Sequence, residues 1–106
     1  IGAQKILDDA LLLESLGVSV IVLECIPREL SKNVSRSLKI PTIGIGAGSD
    51  CDGQVLVSYD MLGITSGRLP RFARNFMTGK GSVRLAIESF NEEVKAGTYP
   101  SIDETY

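Results

Sequence analysis

The sequence predicts a parallel α/β fold and, within that class, an arc of a (β/α)8 barrel. Three observations carry the prediction. Two β-branched apolar runs, Val18-Ser-Val-Ile-Val-Leu23 and Thr42-Ile-Gly-Ile-Gly46, alternate with segments of helical periodicity. The runs are too short for buried helices and too continuous for half-exposed strands, so strands covered on both faces are expected. Alternating strands and helices imply parallel pairing through right-handed crossovers. Three such strands would leave raw edges and one bare face. The choice is therefore between a very small open α/β domain and a piece of a larger closed sheet, for which a barrel of about 250 residues is the natural frame.

Each element has its own signal. Ile6, Leu7, Ala10, Leu11, Leu13 and Leu16 recur at near-helical spacing, and Gly17 stands where a helix C-cap belongs. Pro27 suits a first helical turn, after which Leu30, Val34 and Leu38 follow at every fourth position until Pro41. Asp52-Gly53 is a turn signal, with Val55-Leu56-Val57 as a third short strand. Val83, Ala86, Ile87, Phe90 and Val94 mark a final helix that stops at Gly97, ahead of Pro100.

Composition narrows the function classes. The 106 residues carry a net charge of −2 with both signs mixed along the chain, which offers nucleic acid no basic footprint. No apolar run approaches the roughly 20 residues that span a bilayer. Two cysteines and no histidine argue against a disulfide framework, a Cys/His zinc site and a Cys-His nucleophile, and suit a reducing compartment. The chain opens Ile1-Gly-Ala with no secretory pattern, as expected of a processed or cleaved polypeptide.

Glu24 is the most informative residue. It ends the first apolar run, and sheet sites in parallel α/β folds assemble at the C-terminal ends of strands. Period-two alternation aims Val20, Val22 and Glu24 the same way, inward in a barrel. A carboxylate in apolar surroundings is costly unless paired or used, and desolvation suits such a group to general-base work. The plainer alternative is a helix cap or an ion pair with Arg28. The run Ile43-Gly-Ile-Gly-Ala-Gly48 lacks dinucleotide spacing and could either admit a phosphate or simply keep a sheet mouth open. Asp50, Asp52 and Asp60 are few for a hard-metal site. Cys25 reads as a small packed residue, and Arg68, Arg71 and Arg74 as the solvated face of a short helix with Phe72 and Phe76 docked.

Taken together, Leu23-Glu-Cys-Ile-Pro27, Ile40-Pro-Thr-Ile-Gly-Ile-Gly-Ala-Gly48, Asp52-Gly-Gln-Val-Leu-Val57, Asp60-Met-Leu-Gly-Ile64, Phe72-Ala-Arg-Asn-Phe76 and Gly97-Thr-Tyr-Pro100 resemble the ketopantoate hydroxymethyltransferase family, in order and over nearly the whole chain. The resemblance implies that residues 1–106 are the C-terminal portion of one (β/α)8 barrel, its last three strands with the surrounding helices, the N-terminal half lying outside this chain. It implies transfer of a hydroxymethyl group from 5,10-methylenetetrahydrofolate to 3-methyl-2-oxobutanoate, giving ketopantoate for pantothenate biosynthesis. Glu24 matches the family's base, and Ile45, Val55 and Val57 match its substrate pocket. The implied Mg2+ and oxo-acid ligands match nothing in this chain, so the 106 residues alone should be inactive. A homo-oligomer of stacked pentamers in the cytoplasm, or in mitochondria of a eukaryote, is also implied. Two other readings stay open: another magnesium-dependent barrel enolising a 2-oxo acid, of the phosphoenolpyruvate mutase or isocitrate lyase kind, and a non-catalytic α/β binding module.

Overall fold

The computed structural model describes residues 2–106. Helix α1 (Gly2–Ser15) leads into β1 (Ile21–Glu24), α2 (Arg28–Ser37), β2 (Thr42–Ile45), β3 (Gly53–Gln54), a single turn α3 (Ser58–Met61) and the long α4 (Val83–Ala96), with a 3-10 turn at Ile102–Glu104. The three strands form one parallel sheet in the order β1-β2-β3. Glycine supplies the left-handed residue that stops α1 and α4, at Gly17 (φ 94°) and Gly97 (φ 77°), as the sequence predicts. Ser82 caps α4 by accepting a hydrogen bond from the Leu85 amide at 3.2 Å. At the far end of α2 the Glu14 carboxylate accepts from the amides of Lys39 and Ile40 at 2.6 and 3.0 Å, tying α1 to the entry of β2.

The sheet is covered on one face only, which corrects the expectation of strands buried on both. Ile21 and Leu23 are buried with Ala10 of α1 and Val34 and Leu38 of α2. Their register partners Thr42 and Gly44 face the same way, and Thr42 is held by a 2.7 Å hydrogen bond with Ser35 of α2. On the opposite face Val22 is 59% exposed and Glu24 is exposed. The alternation is as the sequence predicts; the cover expected on the Val22 side is not supplied by this chain.

The third strand is shorter and earlier than expected. Val55 keeps one ladder bond, its amide donating to the Gly44 carbonyl at 3.0 Å, but Leu56 and Val57 do not pair. The reason is that β2 ends at Ile45, so no strand lies alongside them. Leu56 instead enters a second core with Met61, Phe72, Phe76, Ala86 and Tyr99. Only part of the predicted stripe on α4 is covered: Ala86 is buried, whereas Val83 and Ile87 are about half exposed at 49% and 48%. Two cores side by side give an elongated body of 45 × 24 × 21 Å, with a radius of gyration of 14.7 Å against the roughly 13 Å of a compact chain this long.

The arginine stripe is also corrected. Residues 68–76 are irregular rather than helical. Arg74 is no solvated residue: it pairs with Glu93 of α4 and with Glu104, each at 2.7 Å, and its guanidinium lies about 5 Å from the rings of Phe76 and Tyr99. Phe76 meets Phe90 and Tyr99 edge-on at 5.4 and 5.2 Å. The Tyr99 hydroxyl donates to the Phe72 carbonyl, and Arg71 stacks over the Tyr106 ring. Burial disfavours ionised Glu104, but Arg74 and Ser101 outweigh it and hold the carboxyl below its ordinary range.

A carboxyl depressed in the fold contributes stability above the unfolded carboxylate range, about pH 4.3, and loses it as pH falls through the lower folded value. The thermal midpoint is therefore expected to drop on acidification below about pH 4, less steeply in Arg74→Met than in wild type. At neutral pH, Arg74→Met is expected to cost about 1–3 kcal/mol by denaturant unfolding, since the clasp is only partly shielded from water.

Candidate active site at the open sheet face

The register places Glu24 beside Ile45, and the ladder bond from Val55 to Gly44 puts Val55 next to Ile45. Glu24, Ile45 and Val55 thus share the C-terminal end of the open face, as parity predicts. Val57 stands at the N-cap of α3 rather than in a strand, 53% exposed. Ile45 is half-buried against the second core and Val55 is exposed. One carboxylate on an apolar shelf is the arrangement. The desolvation expected around Glu24 does not come from these residues, since the side chain is open to solvent.

The structural uses weighed for Glu24 are taken by other groups. The N-cap of α2 is Pro27, with no side-chain cap. Arg28 pairs with Asp50 at 2.8 Å, and that hydrogen bond holds the Asp50 carboxyl below its ordinary range. Among the described residues nothing hydrogen-bonds or pairs with the Glu24 carboxylate.

Backbone geometry at this strand end is unusual. Cys25 has φ 51°, a left-handed conformation costly for a residue with a Cβ. It is exposed rather than packed as expected. Two bonds extend the ladder past β1 and hold it there, from the Cys25 amide to the Ile45 carbonyl at 2.9 Å and from the Ile26 amide to the Gly46 carbonyl at 3.1 Å. Strain of this sort persists where surrounding structure over-determines it, and it clusters at functional positions. No residue-type signal marks Cys25 in the sequence.

The glycine run is filled from within the chain. A Cβ on Gly46 would sit 2.9 Å from the Phe72 ring, one on Gly48 2.8 Å from Arg28 Cγ, and one on Gly44 3.0 Å from Cys51 Sγ. The space a Cβ would take at these glycines is filled by Phe72, Arg28 and Cys51. Burial pushes the Cys51 thiol up from its ordinary range, against hydrogen bonding from Ser35 and Thr42.

The aspartates are likewise engaged. Asp52 accepts from the Thr42 amide at 2.8 Å, and Asp60 from the Thr65 hydroxyl at 2.6 Å. Among the described residues no group of three or more Cys, Asp or Glu side chains is placed to hold a metal ion. Among them, too, no helix is long and apolar enough to cross a membrane.

Comparison with known proteins agrees with this layout. The family model described as ketopantoate hydroxymethyltransferase matches residues 2–102. Curated relatives named 3-methyl-2-oxobutanoate hydroxymethyltransferase include one from Vesicomyosocius okutanii subsp. Calyptogena okutanii, 57% identical over 99% of this chain and 40% of its own length. Another, from Nitrosomonas eutropha, is 53% identical over 94% of this chain and 37% of its own. A third, from Shewanella denitrificans, is 50% identical over 98% and 39%. The chain thus spans about two fifths of the length of the relatives it matches. By residue pattern and by this match over nearly all its length, the chain belongs to the ketopantoate hydroxymethyltransferase family.

Proposed function

We propose that the 106 residues are the C-terminal portion of a single (β/α)8 barrel. The complete protein would transfer a hydroxymethyl group from 5,10-methylenetetrahydrofolate to 3-methyl-2-oxobutanoate, giving ketopantoate in pantothenate biosynthesis. The observation that carries the reading is Glu24: a carboxylate without a partner among the described residues, at the C-terminal end of a parallel strand, on an apolar face that those residues leave largely open. That face becomes the barrel interior once the missing strands flank β1 and β3. Closure would also exclude water from the carboxylate, which this chain alone does not do.

In this role Glu24 accepts the proton from C3 of the oxo acid. The C–H electron pair delocalises into the adjacent carbonyl as an enolate. One C–N bond of the donor's methylene group opens, and C3 and the oxygen of a water molecule both end on that carbon as the second C–N bond breaks. Tetrahydrofolate leaves with one proton from the water and the one taken from C3. Ile45, Val55 and Val57 supply an apolar wall against the branched end of the substrate. Asp50, Asp52 and Asp60 bond to Arg28, Thr42 and Thr65. Magnesium and the oxo acid's carboxylate would be held by residues of the other half of the barrel, the ion supplying charge stabilisation to the enolate. A cytoplasmic homo-oligomer of stacked pentamers completes the proposal.

Glu24→Gln, made in the complete enzyme, is expected to lower folate-dependent hydroxymethyl transfer by about 10²- to 10⁴-fold. The far-ultraviolet circular dichroism should stay unchanged, because the side chain is exposed and has no protein partner to lose. Transfer within about twofold of wild type would overturn the assignment.

A further inference from the structure

We propose that Phe72 is a positioning residue for Glu24, acting through Gly46 and the turn at Cys25; the inference rests on Glu24 being the base. The Phe72 ring is buried in the second core, 8% exposed, more than twenty positions away in sequence from the turn it supports. An ideal Cβ on Gly46 would lie 2.9 and 3.1 Å from two atoms of that ring and 3.4 Å from the Cys25 Cα. Gly46 thus lacks the one atom that would meet both the Phe72 ring and the Cys25 backbone, and the three pack together at this point.

That turn is the residue directly after Glu24, in a conformation that a side-chain-bearing residue seldom adopts unaided. The ladder bonds from Cys25 to Ile45 and from Ile26 to Gly46 set how close the turn lies to β2. The ring behind Gly46 sets where the 45–46 end of β2 can go. The second core packs around the ring, and the Tyr99 hydroxyl donates to the Phe72 carbonyl and so holds the backbone that carries it. From the other side, the Arg28 amide donates to the Tyr106 carbonyl at 3.1 Å, so the C-terminal segment grips the end of the same β1–α2 connection. Without the ring, β2 can shift toward the vacated space and Cys25 can relax to an extended conformation. Either movement re-aims the carboxylate one residue earlier. Proton abstraction is sensitive to such misplacement, while affinity for a substrate held chiefly by other groups is not.

The test uses the complete enzyme and follows solvent deuterium entering C3 of 3-methyl-2-oxobutanoate by NMR, alongside the thermal midpoint. Phe72→Leu is expected to lower the maximal exchange rate about tenfold with the KM for the oxo acid within about twofold. Phe72→Tyr, which keeps a flat ring over Gly46, should retain most of the rate. Should Phe72→Leu fail to fold, Cys25→Val decides: a β-branched residue at this exposed position resists the left-handed turn, so the rate should fall similarly with the KM within about twofold, whereas Cys25→Gly, which adopts that conformation readily, should retain the rate. Wild-type exchange in the folded Phe72→Leu enzyme or in Cys25→Val overturns the proposal, as does an equal loss in Leu and Tyr that tracks the folded fraction. Glu24→Gln run beside them separates the two ideas. If it alone loses exchange, the base stands and the positioning role falls; if it keeps exchange, the base assignment itself is wrong.

Discussion

A parallel sheet needs cover on both faces and company on both edges, and this chain provides half of each. Helices α1 and α2 bury Ile21, Leu23 and Thr42, while Val22, Glu24 and Val55 stand on a face that residues 2–106 cover only in part, where Ile45 packs against the second core. The amides of Ile21 and Cys25 donate to the carbonyls of Pro41 and Ile45, so by alternation those of Val22 and Glu24 point to the outer edge of β1. Unpaired backbone groups and apolar side chains on one strand would invite aggregation in a finished domain. They are what the proposed barrel segment would present to its neighbouring strands.

The residues that look like ligand-binding residues in sequence divide sharply once placed. Asp50, Asp52, Asp60, Arg28 and Arg74 are consumed by one another and by nearby hydroxyls and amides, and they fix loops. The glycines of the 44–48 run make room for Phe72, Arg28 and Cys51 rather than for a ligand. Glu24 is left over, adjacent to the strained Cys25. A chemically capable group spared by every structural use, at the end of the strand where such folds build their sites, is a stronger argument than the motif alone.

Much of this was legible in the sequence where the governing interactions are local. Helix periodicity, the αL stops at Gly17 and Gly97, and the alternation that turns Val22 and Glu24 to one side all depend on near neighbours in the chain. Burial on the Val22 face was misjudged because an apolar run reports that a strand suits cover on both faces, not which residues supply it, and residues 2–106 cover only the Ile21 and Leu23 side. The segment 68–76 was misread because Arg74 finds its partners 19 and 30 positions away, a separation that no periodicity encodes. The left-handed turn at Cys25 and the ring behind Gly46 were invisible for the same reason. The family, in contrast, was readable, because its blocks are contiguous stretches of sequence.

The account stands or falls on whether β1 is an interior strand of a closed sheet. Amide hydrogen exchange at Val22 and Glu24, compared between the complete enzyme and the isolated 106-residue chain, tests this directly. Both amides should be protected in the complete enzyme, where a neighbouring strand accepts from them, and should exchange freely in the isolated chain. Rapid exchange at both positions in the complete enzyme would mean that β1 is an edge strand, and the barrel, with Glu24 as the base inside it, would have to be abandoned.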